Sequence, residues 1–335
     1  MMENLPETAP VLVTGASGFV GRVLVENLVK GGVRVRAYVR DPLKVAYFEK
    51  LGAEIFRADY SDLTRLEEAA LGTRVIYHLG EAPTISNKMR RHNVELVRRL
   101  IGRALHSPRQ RLVFVSSLSV CGIPSVAPAT EETPPERVLN DPYTLYKRKA
   151  EQLIRESFLE DGLDFVIVRP ALVYGPGSKH LKGLIKWLER YGKIGIPFAG
   201  KGNNIVPLIH VEDLVSLLIC VGRDDKARGK IVNAVDDSRV SARDFLIRIG
   251  QQLGKVVKIR TTPKSLVKFI AVPIDAFGDL LGFPFGIGGL VEMMNTDAVF
   301  SNVRMKSLLD RPMVYPTVTE GLPTLIDWYR RDNKK

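Results

Sequence analysis

The feature that most constrains the fold is the stretch VLVTGASGFVG at residues 11–21, where a short apolar run leads into three glycines. The apolar run is typical of a buried strand, and the apolar spacing from about Phe19 to Lys30 predicts a helix. A helix N-terminus has unpaired N–H groups and the positive end of the helix dipole, so it binds phosphate. We expect Gly15 to allow the turn out of the strand, Gly18 to let backbone approach a pyrophosphate, and Gly21 to let helix pack on sheet. The stretch therefore predicts a dinucleotide site, although its spacing is G-x-x-G-x-x-G rather than G-x-G-x-x-G.

Strand-like and helix-like segments alternate through the first half of the chain. The apolar runs VRVRAYVR, AEIFRAD, VIYHLG, RLVFVSS and DFVIVRP follow the first strand, with helical stretches between them. This alternation predicts an α/β fold, a doubly wound parallel sheet or Rossmann fold, with helices on both faces. Beyond Ala171, Gly and Pro interrupt the pattern, and KIVNAV with the helix after it marks one βα return. We expect a dinucleotide-binding domain at residues 1–175, with returns to the sheet at about 204–253. Residues 176–203 and 254–335 would form a smaller substrate-binding region.

Composition excludes several classes of protein. The chain has 335 residues and only two cysteines, which offer no disulfide framework and no metal quartet, so a reducing compartment is expected. The N-terminal residues lack the basic and apolar regions of a signal peptide, and no run of 18 uncharged apolar residues occurs. These observations predict a cytoplasmic protein. His78 and His210 have no metal-ligand spacing, so no metal is expected.

The net charge of +12 is the remaining compositional signal. The densest basic region, residues 88–111, has apolar residues at helical spacing and predicts an amphipathic helix with a solvated face. It has no aromatic residues that could stack on bases, so nucleic acid is not an expected partner. An anionic ligand or a membrane surface is the second interpretation of the charge.

The end of the second predicted strand indicates the type of dinucleotide. NAD sites place an acid there for the ribose 2′-hydroxyl, whereas NADP sites place a cation for the 2′-phosphate. In AYVRDPLK the position belongs to Val39, followed by Arg40 and, one turn later, Lys44. Asp41 comes one position too late and is interpreted as a cap beside Pro42. NADP(H) is therefore favoured, and NAD(H) remains the alternative.

A candidate reactive pair lies in DPYTLYKRKAE. Tyr143 and Lys147 are four residues apart and share one helix face. A nearby ammonium favours the phenolate, so a tyrosine placed in this way can act as an acid or a base. Tyr146 has no lysine four residues on, and is not expected to react. Upstream, VFVSSLSVCG ends a strand with serine hydroxyls, which could polarise a substrate carbonyl or simply form a turn.

Further motifs accompany this pair: TGASGFVG, RADYSD, VIYHLG, HNVELV, VSSLSVCG, Y-x-x-x-K followed by KAE, VRPALVYGPG and IHVEDLV. In combination the sequence resembles the extended short-chain dehydrogenase/reductase superfamily, also called the NAD-dependent epimerase/dehydratase family, over nearly its whole length. The C-terminal third, with TPKSLVKFIAVPIDAFGDLLG, DAVFSNVRMKSLLD and TVTEGLPTLIDWYRR, resembles the 3β-hydroxysteroid dehydrogenase branch.

The resemblance implies roles for individual residues. Ser117 would be the catalytic hydroxyl, Tyr143 the acid/base, Lys147 its activator, and Asn93 a residue that orders a proton-relay water. The resemblance and the preceding arguments together give these expected cofactor-binding residues: Gly15, Ser17, Gly18, Phe19, Val20, Gly21, Arg40, Lys44, Asp59, Tyr60, Leu79, Gly80, Tyr143, Lys147, Pro170 and Val173.

Four departures from the family pattern bear on the substrate and the site. The family's HLAA is HLGE here, which places Glu81 near the cofactor, and Cys121 replaces a pocket tyrosine and is interpreted as a small space-filler. Leu172 and Val206 stand where sugar-nucleotide enzymes of the family carry Asn and Arg for the substrate diphosphate. The two aliphatic residues favour an apolar ligand.

Three functions are open at this stage. The leading hypothesis is an NAD(P)-dependent oxidoreductase that interconverts a secondary alcohol and a ketone on a hydrophobic, sterol-, lipid- or polyketide-like substrate. The alternatives are a sugar-nucleotide epimerase or dehydratase, and a non-catalytic NADP-binding module. The expected assembly is a monomer or homodimer. The apolar segment at residues 266–294 is interpreted as core helices, or as a lid in peripheral contact with a membrane.

Overall fold

The computed structural model describes residues 8–82, 87–107, 109–262 and 297–333. In chain order its strands are β1 Val11–Thr14, β2 Val35–Val39, β3 Glu54–Arg57, β4 Val75–His78, β5 Arg111–Val115, β6 Ile123–Pro124, β7 Pro135–Arg137, β8 Phe165–Pro170, β9 Leu172–Tyr174, β10 Ile196–Ala199, β11 Leu208–His210, β12 Lys230–Ala234 and β13 Ile259–Thr262. Its helices are α1 Phe19–Lys30, α2 Val45–Lys50, α3 Leu63–Ala70, α4 Asn87–Leu105, α5 Pro142–Asp161, α6 Lys179–Tyr191, α7 Val211–Arg223, α8 Ala242–Gln252, α9 Val303–Leu308 and α10 Val318–Asp332.

A seven-stranded sheet in the order β12-β8-β5-β4-β1-β2-β3 organises these elements. Its strands pair in parallel throughout. The chain runs outward from β1 to β3, then crosses back and continues from β4 in the other direction. This reversal between β1 and β4 is the switch point at which open α/β sheets bind ligands, beyond the carboxyl ends of the strands. The prediction of a doubly wound parallel sheet is confirmed.

The central strands β1, β4 and β8 are buried on both faces, which explains why they are nearly continuous apolar runs, whereas the edge strand β3 is partly exposed. On one face α1, α2, α7 and α9 supply buried side chains such as Leu24 and Leu217. On the other face α3, α4 and α5 supply residues such as Leu100 and Ile154. Each fully buried leucine or isoleucine contributes about 1.5–3 kcal/mol, so these two layers stabilise the frame that carries the loops at the strand ends.

A separate core lies in the C-terminal part of the chain. It joins α6, α8 and α10 around residues such as Ile185, Phe245 and Leu325. The short parallel pairs β9–β11 and β10–β13 border it, while β12 returns to the main sheet. Helix α9 packs on the main sheet, because Met305 and Leu308 belong to the core on the α1 and α7 side. The predicted apolar segment at residues 266–294 lies outside the described residues, and the division of the chain into domains stays a prediction.

None of the helices in the described ranges is long and apolar enough to cross a membrane.

Candidate active site

The loop between β1 and α1 is formed by glycines that no other residue could replace. Gly15 has a positive φ of 69°, and a Cβ there would lie 2.7 Å from the backbone nitrogen of Gly80. A Cβ on Gly21 would collide with the carbonyl oxygen of Gly15, so α1 lies directly against the loop. Helix α1 begins after Gly18, which has no side chain to cap it. The N–H of Gly18 donates to the carbonyl oxygen of Gly15 at 2.9 Å, and no side chain caps the first N–H groups of α1, so the loop fits a dinucleotide pyrophosphate.

The carboxyl end of β2 carries cations beside this loop. Val39 is completely buried, whereas the Arg40 side chain is 60% exposed and lies 4.0 Å from the Asp59 carboxylate. Lys44 Nζ donates to the carbonyl oxygen of Ser17 at 3.1 Å, which ties its charge to the glycine loop. Asp41 caps the turn Pro42–Lys44 by accepting from the N–H of Leu43, as the sequence predicted.

Asp59 and Tyr60 take different positions around the loop. The N–H of Ser61 and the guanidinium of Arg40 lower the pKa of Asp59, so its carboxylate is charged at the rim. Tyr60 is buried and stacks on Tyr38 at 5.6 Å between ring centroids. Its hydroxyl hydrogen bonds to the backbone of Gly15, and a Cβ on Gly80 would collide with it. Tyr60 thus supports the glycine loop through its hydroxyl.

A buried hydrogen-bond network connects the ends of β1 and β4. Thr14 Oγ1 hydrogen bonds to His78 Nδ1 at 2.8 Å and accepts from the N–H of Gly80 at 3.2 Å. Burial and the nearby charge of Lys147 lower the pKa of His78 to about 3, so the imidazole is neutral. His78 therefore fixes the backbone after β4. Among the described residues no cluster of His, Cys, Asp or Glu could hold a metal ion.

The predicted reactive residues converge at the ends of β5 and α5. Asp141 caps α5 by accepting from the N–H of Thr144, and Pro142 is the first helical residue. This start places Tyr143 in the first turn, where its side chain hydrogen bonds to Ser117. Ser117 Oγ also accepts from the N–H of Ser119 at 3.1 Å, which fixes its rotamer.

Lys147 is held from two sides. It is 4% exposed, and its Nζ donates to the carbonyl oxygen of Val115 at 2.9 Å. The same nitrogen lies 2.9 Å from Oε2 of Glu81 as an ion pair, at an angle outside hydrogen-bond geometry. Nζ is 5.6 Å from the centroid of the Tyr143 ring, so the two side chains share one helix face as predicted.

The electrostatics around Tyr143 include carboxylates that oppose the effect expected of the Lys147 ammonium. Burial raises the pKa of the Tyr143 phenol, and the carboxylates of Glu81 and Asp141 raise it further, while the hydrogen bond with Ser117 lowers it. The expected lowering by the ammonium is opposed because Glu81 lies against that ammonium. The raised pKa favours the neutral phenol, which is the form that donates a proton.

The side chain of Asn93 is occupied by backbone contacts. Its Oδ1 accepts from the N–H of Ala82 at 2.9 Å, and its Nδ2 donates to the Ala82 carbonyl oxygen at 2.8 Å. Asn93 is fully buried on α4. These bonds give it a role in fixing the loop after β4, and its role toward a relay water stays a prediction.

The end of β8 carries a buried ion pair, and an aliphatic residue follows it at the start of β9. Arg169 makes two hydrogen bonds to the Glu151 carboxylate, at 3.0 and 2.6 Å, directly before Pro170. Cys121 is buried 3.6 Å from an Arg169 nitrogen, and burial raises the pKa of its thiol, which agrees with a space-filling role. Leu172 is 40% exposed at the start of β9.

His210 and Asp213 have structural roles. His210 caps α7 by accepting from the N–H of Glu212. The carboxylate of Asp213 accepts the N–H groups of Val314 and Tyr315. It anchors the chain before α10 to α7.

Sequence reasoning missed two contacts at this site. The ion pair between Glu81 and Lys147 and the pair between Arg169 and Glu151 each join residues on different elements. The substitution of HLAA by HLGE was the signal for the first pair, but its partner depends on how β4 and α5 pack.

A glycine loop at the switch point, a Tyr and Lys on one helix turn, and a serine after the neighbouring strand together define an extended short-chain dehydrogenase/reductase. The chain belongs to the NAD-dependent epimerase/dehydratase family, whose profile matches residues 11–234. It is a nicotinamide-dependent enzyme.

Relatives within the family act on different substrates. A "3beta-hydroxysteroid-dehydrogenase/decarboxylase" of Arabidopsis thaliana is 26% identical over 349 residues, which cover 94% of this chain and 78% of that protein. A "ceramide reductase" of Caulobacter vibrioides is 25% identical over 96% of this chain and 94% of its own. A UDP-glucose 4-epimerase of Vibrio cholerae is 26% identical over 85% of this chain and 84% of its own. An uncharacterized protein of Sinorhizobium fredii is 30% identical over 62% of this chain, and the match spans about half, 52%, of that protein.

Solved structures share the fold. An epimerase of Methanothermobacter thermautotrophicus matches 97% of this chain and 93% of its own with a TM-score of 0.77 and 21% identity. A UDP-glucuronic acid 4-epimerase of Bacillus cereus, solved with a fluorinated UDP-sugar and NAD, matches 96% and 99% with a TM-score of 0.75 and 20% identity. At this identity the likeness concerns the fold alone.

Proposed function

We propose that the protein interconverts a ketone and a secondary alcohol on an apolar substrate, with NADP(H) as the hydride carrier. The observation that carries this proposal is the hydrogen bond between Tyr143 and Ser117, and the exposed aliphatic side chain of Leu172 at the start of β9 supports an apolar substrate. The first feature suits carbonyl chemistry, and the second suits a substrate without a diphosphate.

The residues of the site have distinct roles in this reaction. The nicotinamide, when bound, supplies or accepts the hydride. In reduction the Ser117 hydroxyl holds the substrate oxygen, and Tyr143 donates its phenolic proton to that oxygen as the carbonyl carbon gains the hydride. Lys147 binds the cofactor and sets the charge beside the phenol. In oxidation Tyr143 takes the proton back.

The preference for NADP(H) depends on Arg40 and Lys44. No acid occupies the position of Val39, which is completely buried and cannot bond a ribose hydroxyl. Arg40 is exposed, and Lys44 is bonded to the glycine loop. Cations placed in this way bind a 2′-phosphate, whereas an acid would repel it.

The apolar substrate class is supported by two positions and by two relatives. Leu172 and Val206 are aliphatic where the sugar-nucleotide enzymes carry Asn and Arg. Val206 packs against the C-terminal core, and its N–H is bonded to Val240. The relatives named as a steroid dehydrogenase and a ceramide reductase act on apolar molecules by name, whereas the Vibrio cholerae relative acts on a UDP-sugar.

Replacing Tyr143 by Phe tests the chemistry. We expect Tyr143→Phe to lower kcat about 10²–10⁴-fold, since it removes the proton donor, while NADPH binding measured by fluorescence stays near the wild-type value. Tyr146→Phe is the matched control, because it removes a hydroxyl on the same helix that is buried without a hydrogen-bond partner among the described residues. Retained turnover in Tyr143→Phe would contradict the assignment.

A melting-temperature screen tests the substrate class. NADPH with sterols, long-chain 3-keto lipids or dihydroflavonols should raise Tm above that with NADPH alone, because ligands that bind the folded state stabilise it. UDP- and dTDP-sugars should leave Tm unchanged. Stabilisation by UDP-sugars with NAD, and none by the apolar compounds, would replace the proposal by a sugar-nucleotide epimerase.

A further inference from the structure

Glu81 lies in a backbone segment that hydrogen bonds hold in place. It follows β4, and the backbone on each side of it is held. The N–H of Gly80 donates to Thr14 Oγ1, and both polar groups of the Ala82 peptide backbone are bonded to the Asn93 side chain. The carboxylate is therefore presented from a rigid backbone rather than from a loose loop.

The group that Glu81 meets is the ammonium of Lys147. Their atoms Oε2 and Nζ are 2.9 Å apart, and the glutamate side chain is 24% exposed while that of the lysine is 5% exposed. Among the described residues, Nζ also donates to the Val115 carbonyl oxygen, and the rings of Phe114, Tyr143 and Tyr146 lie 5.0, 5.6 and 5.0 Å from it. In such surroundings a carboxylate at contact distance balances most of the lysine charge.

The titratable and charged groups around Tyr143 come from several elements. Among the described residues they are Glu81 after β4, Asp141 at the start of α5, and Lys147 and Tyr146 on α5, and neutral His78 at the end of β4 lies near Lys147. Two carboxylates thus oppose one ammonium, and the ammonium is paired. The balance of charge favours the neutral phenol over the phenolate.

We propose that Glu81 is a positioning residue, which holds Lys147 by an ion pair and thereby keeps Tyr143 protonated, so that the site is adapted to deliver a proton to a carbonyl oxygen. The role toward Lys147 and Tyr143 stands on contacts within the chain. Its consequence for catalysis, namely that reduction is favoured near neutral pH, rests on the proposed function.

The first test is the pH profile of Glu81→Gln, which keeps the shape of the side chain and removes its charge. In alcohol oxidation kcat/KM rises as Tyr143 ionises, and we expect the midpoint to move to lower pH by about one unit, which is about tenfold in rate below the midpoint. The falling limb of the reduction profile should move in the same direction. Glu81→Asp, which restores the charge, should move both limbs back toward the wild type.

The second test needs neither cofactor nor turnover. Tyrosine labelled with ¹³C at Cζ reports ionisation by NMR, and the Tyr143 signal is identified by its loss in Tyr143→Phe. We expect this signal to change toward the phenolate at lower pH in Glu81→Gln than in the wild type. Glu95→Gln is the matched control, because Glu95 pairs with Arg98 and Arg99 on the exposed side of α4.

The outcomes separate the two proposals. Identical behaviour of the Tyr143 signal in the wild type and Glu81→Gln, whether it titrates or not, overturns the role of Glu81. A shift of the signal in a protein that reduces no carbonyl compound would support the role of Glu81 and contradict the proposed function. Should Glu81→Gln fail to fold, Glu81→Ala, which restores the residue of the HLAA motif, takes its place with the same expected shift.

Discussion

Single residues decide the charge at both ends of the site. Beside the glycine loop Arg40 and Lys44 supply positive charge, and beside Tyr143 the carboxylate of Glu81 offsets the charge of Lys147. At the end of β8, next to Pro170, Arg169 forms a buried ion pair with Glu151 through two hydrogen bonds. Such a pair is costly to break, because removal of one partner leaves the other charge buried and uncompensated.

Arg40→Ser should weaken NADPH binding about 10–100-fold and leave NADH binding nearly unchanged, since it removes one charge-assisted contact to the 2′-phosphate. Fluorescence titration with both nucleotides measures the ratio of affinities. Lys50→Ser, an exposed cation at the end of α2, is the control and should leave the ratio unchanged. An equal loss for NADH and NADPH in Arg40→Ser would argue against the preference for NADP(H).

Glu151→Gln should lower the free energy of unfolding by about 3–5 kcal/mol, because it removes the charge that compensates buried Arg169. Glu68→Gln is the comparison, since Glu68 pairs with Arg65 on an exposed helix face and should cost about 1 kcal/mol or less. Urea denaturation followed by circular dichroism gives both values. A similar loss of unfolding free energy in the two variants would show that burial does not strengthen the pair between Arg169 and Glu151.

At the scale of elements, the first βα turn joins the sheet to the cofactor site. Helix α1 can start where it does only because Gly21 lies against the carbonyl of Gly15. Opposite it, α5 presents Tyr143 and Lys147 because Asp141 and Pro142 fix its first turn. The two helix starts therefore aim the phosphate loop and the reactive pair at the same edge of the sheet.

Gly21→Ala should abolish measurable NADPH binding and lower Tm, since a Cβ there would collide with the Gly15 carbonyl and push α1 away from the loop. Gly102→Ala is the matched helical control. A Cβ at Gly102 meets no atom within 4 Å, so this variant should be neutral or more stable by up to about 1 kcal/mol. Normal NADPH binding by Gly21→Ala would contradict the assigned role of this turn.

At the scale of the whole molecule, a buried junction connects β12 to the C-terminal helix. Asp236 follows β12, accepts from the N–H of Ser238 and lies 3.5 Å from the hydroxyl of Tyr174. Ser238 Oγ accepts from the N–H of Val318 at the start of α10, and the N–H of Asp237 donates to Pro316. The junction therefore fixes the C-terminal core against the sheet.

Asp236 should make the free energy of unfolding decrease as the pH rises from about 4 to about 7. Burial raises its pKa from 3.8 to about 7, so the folded protein binds a proton that the unfolded chain has lost in this range. The free energy of unfolding of the wild type should therefore decrease on the order of 2–4 kcal/mol over this range. In Asp236→Asn this decrease should be absent. Asp237→Asn should retain it, because Asp237 pairs with Lys306 and its pKa is lowered. Denaturation at several pH values compares the two variants, and equal profiles would contradict this origin.

The sequence by itself determined the parallel sheet, the glycine loop, the start of α5 at Asp141 and the family, because each depends on residues near one another in the chain. Helical spacing placed Tyr143 beside Lys147, and strand ends placed Ser117 and Arg40. Only the tertiary structure decided that Glu81 meets Lys147, that Asn93 is bound to Ala82 and that Asp213 anchors residues 314–315. These contacts join elements distant in sequence, and the charge on a buried group depends on all the neighbours that packing brings to it.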